Sequence, residues 1–429
     1  MRPHKIEPSP RQYPAFVTLL RRGDRREAAA PTKTTFDDIE SWLFGDAARE
    51  DELLPLIESM IWRLVAAGLP LDRASFHVGT LHPQLLGFAW NWNSADGLCD
   101  EVRVAEGSLQ TDAYLRNPLH RVIDHGEVVV IDTAEEGARE RFRVVGDLID
   151  AGIRHYVAMP LGAAGTYHNA ITLATKDAGG FSRDQRAGLD RVLPIFALHV
   201  QRHIALRIAA NVLDIYLGEA AGGKVLEGTI ARGSGEAIRA VIWASDLRGF
   251  TDLADRLSGP EMTALLNEYF GALAGAVVAH GGEVLKFIGD GMLAVFPFST
   301  EVEAVDASRN ALAAAEQALA GLAAINETPP EALAGIEGWQ PLRSGIALHE
   351  GEVFFGNVGA PERLDFTVIG RAVNATARVE ALSKQLGRSV LVTAPVAGRI
   401  DRPFDDLGRH ELRGLAEPMG IFGPAENGA

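Results

Sequence analysis

Between Ala237 and Phe298 the chain alternates apolar runs with acidic turns in an order that leaves few folds open. The apolar run from Ala240 to Ala244 ends in Ser245-Asp246 and passes directly into Arg248-Gly249-Phe250-Thr251 and a helical pattern. That spacing predicts a strand stopping at a carboxylate, with the amide groups of a helix start beside it. Such amides attract phosphate, because they lack intrahelical partners and the helix dipole is positive there. After Gly281-Gly282, the segment Glu283 to Phe296 reads as two strands around Gly289-Asp290-Gly291, a turn-forming triplet between two apolar runs. If the Asp246 strand neighbours this hairpin, the two aspartates converge. Paired carboxylates near a helix start predict a divalent cation holding a polyphosphate.

These residues also carry a resemblance. Ser245-Asp246-Leu247-Arg248-Gly249-Phe250-Thr251, followed by Lys286-Phe287-Ile288-Gly289-Asp290-Gly291-Met292-Leu293-Ala294-Val295-Phe296, resembles the catalytic domain of class III adenylate/guanylate cyclases, in the adenylyl form. The match continues through Leu364-Asp365-Phe366-Thr367-Val368-Ile369-Gly370 and Val373-Asn374-Ala375-Thr376-Ala377-Arg378-Val379-Glu380, roughly 180 residues in the family's order. It implies an α+β fold with a ferredoxin-like βαββαβ core over residues 236–429. It also implies two divalent ions, Mg²⁺ or Mn²⁺, on Asp246, Asp290 and the carbonyl of Leu247. Lys286 and Asp365 fall where the family reads adenine, a donor for N1 and an acceptor for the exocyclic amine; guanine presents the opposite pattern. Asn374 and Arg378, four apart on one helix face, match the residues that orient the ribose and stabilise charge on the α-phosphate. Arg248, Gly249, Phe250, Thr251 and Arg413 fall where the family contacts phosphates.

The resemblance implies conversion of ATP to 3′,5′-cyclic AMP and pyrophosphate, with each site shared between two copies of the chain. A guanylate or dual-specificity cyclase, or a nucleotide-binding signalling module without turnover, are the alternatives.

Ahead of this domain the sequence divides further. Residues 1–35 carry, up to Lys33, eight Lys or Arg against three Asp or Glu, with several prolines, and read as a disordered basic tail. Residues 36–182 alternate helical and strand-like runs and resemble a GAF-type sensory domain, notably at His155-Tyr156-Val157-Ala158-Met159-Pro160-Leu161 and Ile171-Thr172-Leu173-Ala174-Thr175. Trp90 and Trp92 alternate along one strand and are expected in its core. His77, His82, His120, His125, His155 and His168 show no metal-ligand spacing. An unknown small molecule or protein would supply the signal. Residues 183–235 read as a signalling and dimerisation helix, with Pro194 kinking or delaying it, followed by a glycine-rich joint.

A net charge of −16 argues against a nucleic-acid partner. The single Cys99 excludes an intrachain disulfide. No apolar run reads as a transmembrane segment and the N-terminus lacks a signal peptide, so the cytoplasm is the expected location.

Overall fold

The computed structural model describes residues 11, 13–23, 31–79, 85–105, 112–164, 167–336, 340–415 and 417–425. The chain divides into two units, Met1–Val212 and Leu213–Ala429.

The first unit is built on an antiparallel sheet. Its strands are β1 (Val17–Arg22), β2 (Arg73–Gly79), β3 (Leu85–Asn93), β4 (Cys99–Ala105), β5 (Val129–Asp132), β6 (His155–Ala164) and β7 (Tyr167–Thr175). They run in the order β1-β4-β3-β2-β7-β6-β5. Along β2 the even positions Ala74, Phe76 and Val78 are buried and the odd ones are not, so a period of two puts one row against the core. On that face lie the helices Phe36–Phe44 and Leu53–Ala66 and the first half of Arg183–Leu217. Trp90 and Trp92 are both buried there, and Trp92 meets Trp62 edge-on at 5.3 Å. Helices Pro118–His125 and Arg143–Asp150 cover part of the opposite face.

Two expectations change here. Residues 17–22 are an edge strand paired with β4, not part of a disordered tail; residues 1–10, 12 and 24–30 of that tail lie outside the described residues. The basic character has a structural reason. Arg21 bonds to Glu101 at 2.9 Å and Arg22 to Asp100 at 2.7 Å, and both acids are almost fully buried, so each needs a cation. The Arg183–Leu217 helix runs unbroken in its assignment through Pro194. Within the glycine-rich stretch, helix Glu219–Leu226 follows Gly218, and its Ala221 is buried in the second unit's core.

The second unit centres on β8 (Gly235–Leu247), with β9 (Glu283–Ile288), β10 (Gly291–Phe298), β11 (Ser344–Ala360), β12 (Arg363–Ile369), β13 (Val390–Thr393), β14 (Phe404–His410) and β15 (Met419–Pro424). The sheet order is β14-β15-β13-β11-β8-β10-β9, with β12 on β11. Taken as β8, helix Gly259–Ala279, β9, β10, helix Glu301–Glu327 and β11, the chain is βαββαβ with its four strands in the spatial order 4-1-3-2. From Ala240 to Ala244 β8 is apolar because both faces are covered there: Val241 and Trp243 meet the two helices, Ala240 and Ile242 the other side. β11 is a single seventeen-residue strand. Its far half, with β12, packs back over the sheet, so Phe366 and Val368 share a cluster with Leu285 and Leu293.

Contrary to the sequence reading, Gly259–Ala279 is long and apolar enough by length and composition to cross a membrane. Its Leu265, Tyr269, Leu273, Ala276 and Val277 are buried in this unit's core.

Candidate active site

Asp246 stands one residue before the end of β8, opposite Gly291 of β10 and Gly345 of β11. Asp290 occupies the turn preceding Gly291, so pairing β8 with β10 brings both aspartates to one end of the sheet. Their carboxyl groups are close enough to interact. Asp246 is held above the ordinary aspartate range, by burial first, then by the charge and hydrogen bond of Asp290, with Arg248 opposing. Behind the pair, Tyr269 Oη and Ser344 Oγ are 2.9 Å apart, and Ser344 Oγ donates to the Asp246 carbonyl at 3.2 Å. Leu247 buries its side chain, leaving its carbonyl as the polar group it can offer.

Half-buried acids that repel each other suit a dication, which would remove the repulsion and make both ionised forms favourable. Among the described residues no three His, Cys, Asp or Glu side chains converge, so a cation held here would have two carboxylates and would need main-chain or substrate oxygens to complete its shell. The electrostatics give a testable sign. A carboxyl raised in the folded state stabilises the metal-free protein below the ordinary aspartate pKa and loses that contribution as pH rises through the raised value. Asp290→Asn is therefore expected to raise the melting temperature of metal-free protein at neutral pH, with the gain vanishing in acid. Added Mg²⁺ or Mn²⁺ should stabilise the wild type and not this variant; equal stabilisation of both would remove the acid pair as the cation site.

The residues after Asp246 divide. Gly249 has φ 77°, a left-handed conformation open to glycine, and starts helix Phe250–Ala254. That helix has five residues, so its dipole is small; the amides of Gly249, Phe250 and Thr251 remain, while the Phe250 ring packs on the core. Arg248 does not present a free guanidinium. It donates to Ser383 Oγ, and its Nη1 lies 3.7 Å from Glu380 Oε1. Burial raises Glu380, Arg248 lowers it, and Asp246 and Asp290 raise it further. Glu380 and Ser383 were given no role in the sequence reading; Glu380 lies inside the motif 373–380, but nothing local points to its partner.

Lys286 Nζ donates to Asp365 Oδ2 at 2.9 Å, across 79 residues. The folding back of β11 and β12 over β9 makes the contact, and both side chains stay partly exposed. Asn374 and Arg378 lie on helix Arg371–Gln385, Asn374 exposed and Arg378 half-buried. The Arg378 guanidinium approaches within 3.4 Å of where a Cβ on Gly414 would sit, which places the exposed Arg413 segment beside it. Among the described residues, no hydrogen bond or ion pair joins Asn374 or Arg378 to Asp246 or Asp290.

Residues 237–421 match the family model described as the adenylate and guanylate cyclase catalytic domain. The second unit carries a class III adenylate/guanylate cyclase catalytic domain. The chain is 32% identical over 171 residues to an adenylate cyclase of Anabaena cylindrica, which covers 40% of this chain and 32% of that protein. It is 31% identical over 182 residues to adenylate cyclase 1 of Rhizobium meliloti (strain 1021), covering 42% of this chain and 26% of the relative. The chain thus spans about a third or less of the length of these curated relatives. Among solved structures, the guanylyl cyclase Cya2 is 30% identical, with 45% of this chain and 96% of that one covered and a TM-score of 0.38. The family description names both nucleotides, which leaves the base to be argued from the site.

The first unit has a cleft of about 860 Å³, bordered by Arg73, His77, Phe88, Asn91, Tyr114 and Arg143. His77 is only partly accessible on the cleft wall, and the protein packed around its ring lowers its pKa to about 4 by desolvation. His120 lies 3.2 Å from Asp124; His82 is outside the described residues.

Proposed function

We propose that the chain is an adenylate cyclase, forming 3′,5′-cyclic AMP and pyrophosphate from ATP at sites shared by two copies. The observation that carries the reading is the Lys286–Asp365 pair, a cationic donor beside an anionic acceptor on a partly exposed face. Adenine offers N1 as an acceptor and the 6-amine as a donor, which this pair complements. Guanine offers a carbonyl at C6 and an N–H at N1, and would meet the wrong partner at each place.

Asp246, Asp290 and the Leu247 carbonyl would hold two divalent ions. When bound, such ions neutralise phosphate charge and favour ionisation of the 3′-hydroxyl. The amides of Gly249 to Thr251 and Arg413 hold the phosphate chain, and Asn374 fixes the ribose. Arg378 stabilises the charge that grows on the α-phosphate as the 3′-oxygen bonds to phosphorus and the bond to the β-phosphate breaks.

A shared site accounts for the separation of Arg378 and Asn374 from the acid pair. Phe287, Ile288 and Ile369 are 52%, 59% and 47% exposed on the strands bearing the base-reading pair, an apolar surface suited to a second copy. The first unit is read as a GAF-like sensor, with its cleft as the place for a signal ligand.

The test is product analysis on the full chain with ATP and GTP, each with Mg²⁺ or Mn²⁺. Cyclic AMP from ATP is expected, with GTP disfavoured by about 1–3 kcal/mol per mismatched base contact. Lys286→Glu combined with Asp365→Ser should shift preference toward GTP. Equal use of both nucleotides by the wild type would support the dual-specificity reading, and metal-dependent binding without product the binding module.

A further inference from the structure

We propose that Arg248 is a positioning residue, which locks the helix bearing Asn374 and Arg378 onto the strand bearing Asp246, and does not touch the substrate. The inference rests on the shared-site reading above. Position in the sequence assigns Arg248 to phosphate; geometry assigns it elsewhere. Its Nη2 donates to Ser383 Oγ, its Nη1 faces Glu380 Oε1 at 3.7 Å, and Ser383 Oγ donates to that same Oε1 at 3.1 Å. The Glu380 side chain is 11% exposed and that of Arg248 21%. A reach to phosphate would strand a nearly buried carboxylate near the Asp246–Asp290 pair, costing more than a surface contact returns.

Gly345 provides the second observation. It faces Asp246 in the β8–β11 register. A Cβ built on it would have Arg248 Nη2, Glu380 Oε1 and Ser383 Oγ all within 2.5 Å. The three polar groups therefore converge over one strand position that is kept clear of any side chain. They join β8, β11 and helix Arg371–Gln385 at one point, one turn of helix beyond Arg378. Within each chain the lock fixes where Asn374 and Arg378 stand, and on the shared-site reading those two residues serve the site whose acid pair belongs to the other copy.

This separates the two roles experimentally. A mixed dimer of an Asp290→Ala chain and an Arg378→Ala chain has one complete site: the Arg378→Ala chain supplies the acid pair, the Asp290→Ala chain supplies Asn374 and Arg378. Arg248→Ala is then placed in one chain or the other, with cyclic AMP formation measured. In the Asp290→Ala chain, Arg248 stands beside the dead acid pair, far from the reacting phosphates. The lock predicts a fall in kcat there on the order of 10²-fold, from displacement of Arg378, with a smaller change in KM and partial recovery in Arg248→Lys. Full activity in that arrangement, with loss confined to Arg248→Ala in the Arg378→Ala chain, would make Arg248 a direct phosphate ligand and overturn the inference. Should Arg248→Ala fail to fold, Arg248→Lys in the two placements gives the same comparison. An inactive parent mixture would remove the shared-site reading, and this inference with it.

Discussion

Asp246→Ala and Asp290→Ala are each expected to lower ATP turnover at least about 10³-fold, the equivalent of roughly 4 kcal/mol of barrier. The reason is local. Each carboxylate is half of a two-member set, and the second acid cannot keep a cation in place against a triphosphate. The fold should survive, because the pair is a source of repulsion in the metal-free chain and neither side chain is part of an apolar cluster. Turnover measured beside thermal melts decides the matter: an active, well-folded Asp290→Ala protein would dissolve the metal assignment, and an unfolded one would move these residues to a structural role.

Arg378→Ala should cost on the order of 10³-fold in kcat, with a much smaller effect on KM, as for other arginines that meet phosphate charge only as it develops. The guanidinium has no carboxylate partner among the described residues and lies half-buried beside Gly414, so its loss leaves no stranded charge. Mixing this variant with Asp290→Ala chains should return activity that neither possesses alone. A matching rise in KM and unchanged kcat would make Arg378 a ground-state anchor; no recovery on mixing would return all the functional residues to a single chain.

Much of this site was legible because its chemistry is local in sequence. A strand ending at Asp246 and a hairpin turning at Asp290 are short-range signals, and their convergence needed one further fact, the pairing of β8 with β10. What was not legible depended on distant partners. Arg248 reads as a phosphate ligand in sequence, where nothing shows that Ser383, 135 residues on, accepts its hydrogen bond. The meeting of Lys286 with Asp365 depends on β11 curling over the sheet, which a period-two pattern does not encode. In the first unit, Val17–Arg22 has the composition of a tail; it is a strand because Asp100 and Glu101 are buried where its arginines arrive.

The contact between Lys286 and Asp365 also bears on how nucleotide is discriminated. The two satisfy each other, so on the proposed reading a base would enter by exchange: one ion pair would be given up and two hydrogen bonds taken in return. An exchange of that kind is close to thermoneutral, as surface ion pairs go. The base would thus add little to occupancy and much to the ranking of one nucleotide over another. Retention of the substrate would fall to its triphosphate, tying the fraction of filled sites to free divalent cation more than to the identity of the purine.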